Sequence, residues 1–439
     1  MVKLPSKWFA LLGSALIGAA SAAYAQDSGP LVDLLVRKGL INDQEAEDLR
    51  VELTRDFGST PAGKLNLSSS LTELRLAGDV RVRWEERGGE LMNGDNLERG
   101  RFRYRFRTAL TGRLLNDWSF GFRLETGSGN RSSNVTMGTD GGPFGKSDDG
   151  IYIGQIYATY TPTPAFSATI GRMPNPLVST SMIWDGDINP EGLAETYRTR
   201  RDKTEYFFTA GQFLYGGSNT RNPFGSGKVN DTFLLAWQGG VKYSFDASSL
   251  QIAPTIYQYV GADQSKNASA FRGAFGPSNP AGINDLFIIN VPVEYSWKVK
   301  DVPVRAYADI ALNLDAEERA RKYGRPDLDG EDMAYSFGVQ YGKAANKGEW
   351  DVRVGYQSVE AFSLDANLVD SDIFDSRTNM EGFVVSGNYA LGAATMLSLT
   401  VANADRVTSS LNAPGAGDVG SNNALKDYWL FQADLNLKF

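Results

Sequence analysis

Residues 101–107 have the sequence Arg-Phe-Arg-Tyr-Arg-Phe-Arg, with aromatic rings at positions 102, 104 and 106 and guanidinium groups at the positions between and around them. In an extended strand, successive side chains point to opposite sides, so a period of two separates the rings from the charges. A helix would mix both kinds of side chain on every face. The stretch therefore predicts a β-strand with one apolar face and one strongly positive face.

The flanking segments continue this alternation. Residues 74–85 and 118–125 again place apolar side chains or glycine on one face and mostly polar ones on the other, and a tight turn at Asn116 and Asp117 joins the second strand to the third. Equivalent segments recur to the C-terminus. We predict sixteen strands, at 74–86, 100–114, 117–127, 150–161, 165–172, 191–200, 204–215, 231–245, 249–260, 285–299, 302–314, 331–343, 348–360, 378–391, 393–404 and 425–439.

Short and long connections alternate along this series. In outer-membrane barrels the short turns face the periplasm and the long polar loops face outward, so an even strand number returns both chain ends to the periplasm. The last strand alternates apolar and polar residues up to the terminal Phe439. This pattern resembles the C-terminal strand that bacterial barrels present to the barrel assembly machinery. The short turns are predicted near residues 115, 162, 201, 246, 300, 345 and 392.

The composition excludes several functional classes. The 439 residues include no Cys and no His, which excludes disulfides, Cys/His zinc sites, haem attachment and nucleophiles activated by imidazole. A net charge of −8 argues against nucleic acid as a partner. After the N-terminal segment no run of eighteen apolar residues occurs, so no membrane-spanning helix is predicted. We expect no enzymatic activity, no metal and no cofactor.

The first 25 residues have the parts of a secretory signal peptide. Lys3 and Lys7 supply the positive charge, residues 8–20 the apolar stretch, and residues 23–25, Ala-Tyr-Ala, the cleavage site. We therefore assign residues 1–25 to a signal peptide that is removed from the mature protein.

Residues 26–70 form a second predicted part. Helical spacing extends over residues 28–57 with a break at Gly39, Asn42 and Glu45 match a capping pair, and residues 58–70 have the composition of a linker. This periplasmic segment is either a short coiled coil that trimerises the protein or a small helical hairpin packed on the barrel. It is too short for a sustained heptad pattern to decide between them.

A soluble β-sandwich also alternates apolar and polar residues. The number of long hairpins, with long polar loops on one side only, favours a barrel at residues 71–439. In a bilayer such a sheet must close, because no unpaired backbone edge is tolerated there. The predicted fold class is all-β: a transmembrane antiparallel barrel of about 16 strands with a water-filled bore, preceded by a short α-helical periplasmic segment.

Closure turns the guanidinium groups of the first three strands toward the bore, against few acidic residues on the same face. A positive strip of this kind would screen or attract permeating anions. The alternative is a solvated, partly paired wall without selectivity. The predicted pore-lining residues are Arg75, Arg81, Arg83, Arg101, Arg103, Arg105, Arg107 and Arg123, with Arg113 on the same face.

A long loop at residues 173–190 joins the fifth and sixth strands. In general porins the loop at this position folds inward and narrows the channel. If this loop does so, Asp185, Asp187 and Glu191 face the arginines and create a transverse field. Two alternatives remain: an ordinary surface turn, and a calcium loop, although Pro190 occupies the position where such a loop needs Gly.

Four stretches together resemble the bacterial "putative porin" family. They are residues 31–41 (LVDLLVRKGLI), residues 76–81 (LAGDVR), Gly171 with Arg172, and residues 184–192 with Tyr197. The resemblance covers nearly the whole mature chain. It implies an outer-membrane barrel of a Gram-negative bacterium with a short helical N-terminal region, and it leaves the solute open. The layout is also distantly similar to phosphate-selective porins, but no lumen lysine cluster matches their anion ladder.

We therefore expect an outer-membrane porin for passive diffusion of ions and small hydrophilic solutes. The expected partners are these solutes, outer-membrane lipid and the barrel assembly machinery, and a homotrimer is compatible with the resemblance and with the N-terminal helices. Two alternatives are a structural barrel that sheathes or anchors a partner protein, and an adhesin that acts through loops such as 127–149 or 405–424.

Overall fold

The computed structural model describes residues 29–59, 67–127, 132–138, 143–145, 149–216, 232–260, 286–411, 419 and 425–439. The chain divides into two compact units, Met1–Ser70 and Leu71–Phe439. The predicted signal peptide at residues 1–25 lies outside the described residues.

The N-terminal unit contains two helices, α1 (Gly29–Arg37) and α2 (Asp43–Ser59). Gly39 lies between them with φ +67°, a left-handed conformation that glycine adopts without steric penalty. The backbone N–H groups of Asn42 and Glu45 each donate to the side chain of the other residue at 2.8 Å. These reciprocal bonds are those of a capping box at the start of α2.

The two helices contact each other as a hairpin. Val32 and Ala46 are buried, and the side chains of Arg50 on α2 and Asp33 on α1 form an ion pair at 2.5 Å. Among the described helices, none is both long and apolar enough to span a bilayer.

Residues 71–439 form one continuous antiparallel sheet of eighteen segments. Sequential strands pair through hairpins, which is the simplest topology for an antiparallel barrel. The segments are β1 (Leu71–Glu90), β2 (Asn96–Leu114), β3 (Trp118–Gly127), β4 (Val135–Thr136), β5 (Gly150–Thr163), β6 (Phe166–Arg172), β7 (Glu191–Arg201), β8 (Thr204–Gly216), β9 (Thr232–Ser244), β10 (Ser249–Ile252), β11 (Thr255–Val260), β12 (Phe287–Val299), β13 (Val302–Asn313), β14 (Met333–Gly342), β15 (Trp350–Val359), β16 (Met380–Gly392), β17 (Thr395–Asp405) and β18 (Asp427–Lys438).

Sixteen of these strands form the barrel wall. The segment β4 is a two-residue pairing with β2, and β10 and β11 are halves of one strand, since both pair with β9 and β12. The interruption at Pro254 removes one backbone donor. The barrel is therefore a closed ring of 16 strands, as the sequence predicted.

Closure occurs between the first and last strands. In β1, Val80 stands opposite Leu437 of β18, and Gly88 stands opposite Trp429, while the other edge of β1 pairs with β2. Among the described strands, each of the sixteen wall strands pairs on both sides, which satisfies the backbone in a bilayer. The predicted strand boundaries lie within four residues of the observed ones.

The side chains of the opening motif point as the alternation predicted. Phe102 and Phe106 are 54% and 39% exposed on the outer surface, whereas Arg103 between them is 5% exposed and points inward. Aromatic residues near the short turns mark one end of the outer surface, as expected for an interfacial girdle. This ring includes Trp118, Tyr160, Tyr206, Tyr243, Tyr295, Tyr341, Trp350 and Tyr389.

The connections differ between the two ends of the barrel. At the short-turn end, Asn116 and Asp117 have φ of 62° and 66°, so the predicted tight turn is present. At the long-loop end, the connection after β13 contains a helix, α3 (Ala316–Tyr323), and a 3-10 helix, Pro326–Leu328. The sequence analysis had treated this connection as a polar loop.

Two long loops lie inside the barrel, and we name them inner loop A (residues 173–190) and inner loop B (residues 360–379). Met182 and Trp184 of inner loop A and Leu364 of inner loop B pack in one hydrophobic cluster with the inward-facing Phe213 and Tyr257. Inner loop A was predicted to fold inward as one of three alternatives. Inner loop B was not predicted to do so.

Candidate functional site

Inner loops A and B are hydrogen-bonded to each other across the lumen. The backbone N–H of Asp185 donates to the carbonyl of Leu368 at 2.6 Å, and the Asp185 carboxylate accepts from the backbone N–H of Ser371 at 3.1 Å. The backbone N–H of Asp370 also donates to the carbonyl of Ser181 at 3.2 Å. The two loops therefore form a single inner structure.

The wall strands hold both loops in place. Gln238 on β9 accepts from the backbone N–H of Val178 in inner loop A at 2.9 Å. The hydroxyls of Tyr215 on β8 and Tyr259 on β11 donate to Asp365 of inner loop B at 2.5 and 2.9 Å. These contacts come from the half of the wall opposite the arginine-rich strands.

The arginines nearest the long-loop end surround one carboxylate. Glu85 on β1 is 0% exposed, and its oxygens lie 2.6 Å from Arg101 and 2.8 Å from Arg87. Arg83 and Arg103 stand 3.6 Å from the same carboxylate. We call these four arginines and Glu85 the upper arginine cluster.

Inner loop B supplies further carboxylates to this cluster. Asp372 lies 3.0 Å from Arg83, and Asp375 lies 2.9 Å from Arg87. On the wall, Asp434 of β18 pairs with Arg83 at 2.7 Å. The upper arginine cluster therefore anchors inner loop B to strands β1 and β2.

This arrangement corrects the predicted environment of the arginines. The sequence analysis expected a solvated strip with few acidic residues, but Arg81, Arg83, Arg101, Arg103 and Arg105 are each at most 8% exposed. Inner loop B supplies counter-charges to Arg83 and Arg87, and Asp79, Glu85 and Asp434 lie on the same inner face. These guanidinium groups point inward, but the side chains are removed from solvent.

A second cluster remains in contact with solvent. Asp187 of inner loop A faces Arg107 at 3.3 Å and Arg105 at 3.8 Å, and Asp79 of β1 pairs with the same arginines at 2.7 and 2.9 Å. The side chains of Asp187 and Arg107 are 24% and 21% exposed. We call these four residues the constriction cluster.

The remaining predicted pore-lining residues lie outside both clusters. Arg123 forms an ion pair with Glu125 at 2.8 Å on the inner face of β3. Arg75 is exposed near the short-turn end, and Arg113 pairs there with Glu73 at 3.2 Å.

The three acidic residues predicted for the loop have different environments. Asp187 faces the arginines. Asp185 is buried at the junction of the two inner loops, where it accepts backbone hydrogen bonds. Glu191 is the first residue of β7 and pairs with Arg172 on the outer face of the barrel, because it shares its side of the strand with Tyr197. The prediction for Glu191 was wrong.

The calcium alternative requires free oxygen ligands on this loop. The carboxylate of Asp187 is instead occupied by Arg107 and by the hydroxyl of Ser133 at 3.3 Å. Within the part of the chain that the structure describes, no group of acidic side chains is arranged to hold a metal ion.

The opposite wall carries charged residues that the sequence analysis missed. A cavity of about 230 Å³ is bounded by residues 178–181 of inner loop A and by Glu294, Arg305, Tyr307 and Arg353. Arg305 pairs with Glu294 at 3.1 Å. The period-two alternation of β12 to β15 carries a signal for these residues, because the positions between the outward apolar ones point inward.

Two aspartates of inner loop B, Asp370 and Asp372, have opposite electrostatic environments. Burial, with the neighbouring carboxylates of Asp185 and Asp372, raises the pKa of Asp370. Burial also disfavours the charged form of Asp372, but the nearby Arg83, Arg81 and Arg87 outweigh it and lower its pKa. Ionised Asp372 is thus stabilised in the folded protein, whereas ionised Asp370 is not.

Comparison with known proteins gave a family match. A family model described as "Putative porin" matches residues 90–279 and 282–439. Two engineered variants of the porin of Rhodopseudomonas blastica align over 84% of this chain and 100% of theirs, with 11% and 12% identity and TM-scores of 0.43 and 0.41. The comparison with curated proteins gave no match.

Proposed function

The chain belongs to the "Putative porin" family, and from this premise we propose that it forms a channel for passive diffusion of ions and small hydrophilic solutes across the bacterial outer membrane. No covalent step is involved, so the protein is not an enzyme. The solute crosses the part of the lumen that the inner loops leave open, past the solvent-exposed sides of Asp187 and Arg107. The barrel wall supplies the enclosure, and the inner loops supply the narrowing.

One observation carries this proposal: Asp187 of inner loop A stands 3.3 Å from Arg107 on the wall, and both side chains keep contact with solvent. Opposite charges side by side at the edge of a narrow aqueous passage create a local field in it. Such a field orders the dipoles of water and of permeating solutes, and it discriminates between charged species. Hydrophilic solutes cross because polar groups replace part of their hydration.

The upper arginine cluster has a different role in this proposal. Its guanidinium groups are neutralised by Glu85, Asp372, Asp375 and Asp434, so they hold inner loop B rather than attract solutes. Ion selectivity then depends on the few charges that solvent reaches. The sequence predicted that the whole arginine strip sets ion selectivity. In the present proposal only the constriction cluster does so.

Conductance measurements in planar lipid bilayers test the proposal. Purified wild-type protein should produce discrete current steps. In a salt gradient, Arg107→Gln should shift the reversal potential toward cation preference, and Asp187→Asn should shift it toward anion preference. The matched control is Lys203→Gln, which removes one positive charge from an exposed turn where Lys203 pairs with Asp246. That variant should retain the wild-type reversal potential.

Two results would overturn the proposal. A folded protein that never produces current steps is not a diffusion channel. If steps appear but Arg107→Gln and Asp187→Asn both leave the reversal potential unchanged, the constriction cluster does not set selectivity.

The sheath alternative needs room in the lumen for a partner protein. Trp184, Leu364 and Phe374 of the inner loops are at most 5% exposed and occupy the lumen instead. This crowding favours small solutes over a protein occupant.

The proposal extends to targeting and assembly. Residues 1–25 direct secretion, the helical segment resides in the periplasm, and the C-terminal strand ending in Phe439 is recognised by the barrel assembly machinery. We further propose a homotrimer. A mature N-terminus at Gln26, read by mass spectrometry of outer-membrane fractions, tests the first of these assignments.

A further inference from the structure

The cavity between inner loop A and strands β12 to β15 contains an arginine without a paired acid. Arg353 of β15 lines this cavity of about 230 Å³. Among the described residues no carboxylate lies within ion-pair distance of its guanidinium group, and its Nε is buried without a hydrogen-bond acceptor. By contrast, Arg83, Arg101 and Arg107 each contact a carboxylate. A guanidinium group has five N–H donors, so the cavity presents donors that no protein group uses.

The acidic residue next to Arg353 on the inner side of β15 is engaged elsewhere. The carboxylate of Asp351 accepts hydrogen bonds from the Asn388 side chain at 2.8 Å and from the backbone N–H of Ala344 at 3.1 Å. Ala344 lies in the turn between β14 and β15. Asp351 therefore stabilises that turn and does not pair with Arg353.

The strand register places a second arginine beside the first. Arg305 of β13 and Arg353 of β15 both stand opposite Gln340 of β14, one on each side. Neighbouring strands are about 4.8 Å apart, so the two Cα atoms are about 10 Å apart. Arg305 pairs with Glu294, which also accepts from the hydroxyl of Ser296 at 3.3 Å. Two arginines and one glutamate line the cavity, and their net charge is +1.

An aromatic ring shapes the wall side of the cavity. Tyr307 of β13 extends across Gly338 of β14 to Gly355 of β15, because a Cβ at these glycines would lie 2.6 and 2.5 Å from its hydroxyl oxygen. The two glycines thus make room for the ring along the wall. The guanidinium carbon of Arg305 lies 6.0 Å from the ring centroid, a distance at which a cation is attracted to the ring. The ring therefore leaves the volume beside the arginines open.

Inner loop A supplies hydroxyl groups on the other side of the cavity. Ser179 and Ser181 line it, and the Ser179 hydroxyl accepts from Asn175 at 3.1 Å, which leaves its hydrogen to donate. Between these serines, the hydroxyl of Thr180 donates to Asp309 on the wall and holds the loop in place. Guanidinium donors on the wall thus face hydroxyl donors and acceptors on the loop.

We propose that this cavity is a binding site for small hydroxylated carboxylates. The Arg353 guanidinium donates to the solute carboxylate, a pairing that is commonly bidentate. An ionised carboxylate has about four acceptor sites, so Glu294 keeps sites for solute hydroxyls, and Ser179 and Ser181 bond to others. The cavity volume is several times the roughly 30 Å³ that one water occupies in the liquid, so a short-chain solute fits. The inference rests on the proposed channel for the entry of solutes into the lumen.

Block of the chloride current in planar bilayers tests the proposal, with gluconate as the probe. At constant chloride, gluconate should reduce the single-channel conductance with saturation. Sorbitol, a six-carbon polyol without the carboxylate, should not. Arg353→Gln should raise the half-blocking concentration of gluconate at least about tenfold. The matched control is Lys298→Gln, which removes an exposed positive charge from the same inner side of β12 as Glu294, nearer the short-turn end. It should keep the wild-type value.

The possible results separate this inference from the channel proposal. If current steps occur but gluconate blocks wild type and Arg353→Gln equally, or sorbitol reproduces the block, the binding site is refuted and the channel stands. Acetate has the carboxylate without the hydroxyls, and a block as strong as that of gluconate would refute the hydroxyl contacts.

If the wild-type protein never conducts, the channel proposal fails and a second measurement decides the site. Calorimetric titration of gluconate into protein folded in detergent micelles should give a binding heat that Arg353→Gln loses while it keeps the β-barrel circular dichroism spectrum. No binding heat for the folded wild type would overturn the inference.

Discussion

Replacement of Glu85 by glutamine should destabilise the barrel strongly, although the two side chains have nearly the same shape. Glu85 is 0% exposed, and its closest partners are Arg101 at 2.6 Å and Arg87 at 2.8 Å. Glu85→Gln leaves these guanidinium groups buried without their shared counter-charge. A glutamine amide also points a donor group toward other donors.

The magnitude follows from two independent considerations. Hydrogen bonds to charged groups contribute about 1.5–3 kcal/mol each, so loss of the two shortest contacts costs about 3–6 kcal/mol. Removal of one partner from a buried ion pair costs about 3–5 kcal/mol. Both estimates agree on a loss of about 4 kcal/mol in the free energy of unfolding.

The assay is equilibrium unfolding in guanidinium chloride of barrels folded into phospholipid vesicles, followed by the fluorescence of the seven tryptophans that remain without residues 1–25, since Trp8 is the eighth. The matched control is Glu86→Gln. Glu86 is the next residue on the same strand, but its side chain is exposed on the outer face. The control should change the free energy of unfolding by less than about 0.5 kcal/mol. If Glu85→Gln lost less than about 1 kcal/mol, or no more than its control, the upper arginine cluster would not depend on Glu85.

Three further predictions concern other parts of the chain. Asp370→Asn should raise the free energy of unfolding at pH 7 and Asp372→Asn should lower it by about 1 kcal/mol, because burial and neighbouring carboxylates raise the pKa of Asp370 whereas arginines lower that of Asp372. Changes of the same sign in both variants would contradict this. Since the pKa of Asp370 is raised on folding, its contribution to stability should increase as pH falls through that pKa, and Asp370→Asn should remove this part of the pH profile. Asn42→Ala should weaken α2 by about 1 kcal/mol, seen as faster amide hydrogen exchange in residues 43–46, and unchanged exchange would argue against the capping box. Gly240→Val should lower the free energy of unfolding by about 1–3 kcal/mol, because a Cβ at this position would lie 2.0 Å from the Phe207 ring. The control is Gly239→Val, which should cost less because a Cβ there meets no atom within 4 Å.

The sequence predicted the wall because lipid and lumen impose opposite requirements on alternate residues. In β2, Phe102 is 54% exposed and Arg103 is 5% exposed, and the alternation of residues 101–107 predicts this contrast. Turn chemistry at Asn116 and Asp117 then fixed the hairpins. Strand number and closure followed from these local signals.

The inner loops depend on contacts that no local pattern encodes. Inner loop B is anchored by Arg87 and Asp375, which are 288 residues apart in the chain. Its sequence did carry one signal, since Phe362, Leu364 and Phe374 are unusually apolar for an exposed loop. The charge pairing that selects its position inside the barrel is a tertiary effect.

An arginine that points into the barrel affects ion selectivity only if solvent also reaches it. A count of inward-pointing arginines suggests a strongly positive bore, yet Arg83, Arg101 and Arg103 are at most 7% exposed and contact carboxylates. Because these arginines are both paired and buried, a permeating ion cannot approach them, and they contribute little to the potential in the passage. Arg107 remains exposed beside Asp187, and the selectivity of the channel should therefore follow the balance of these two residues rather than the number of arginines in the wall.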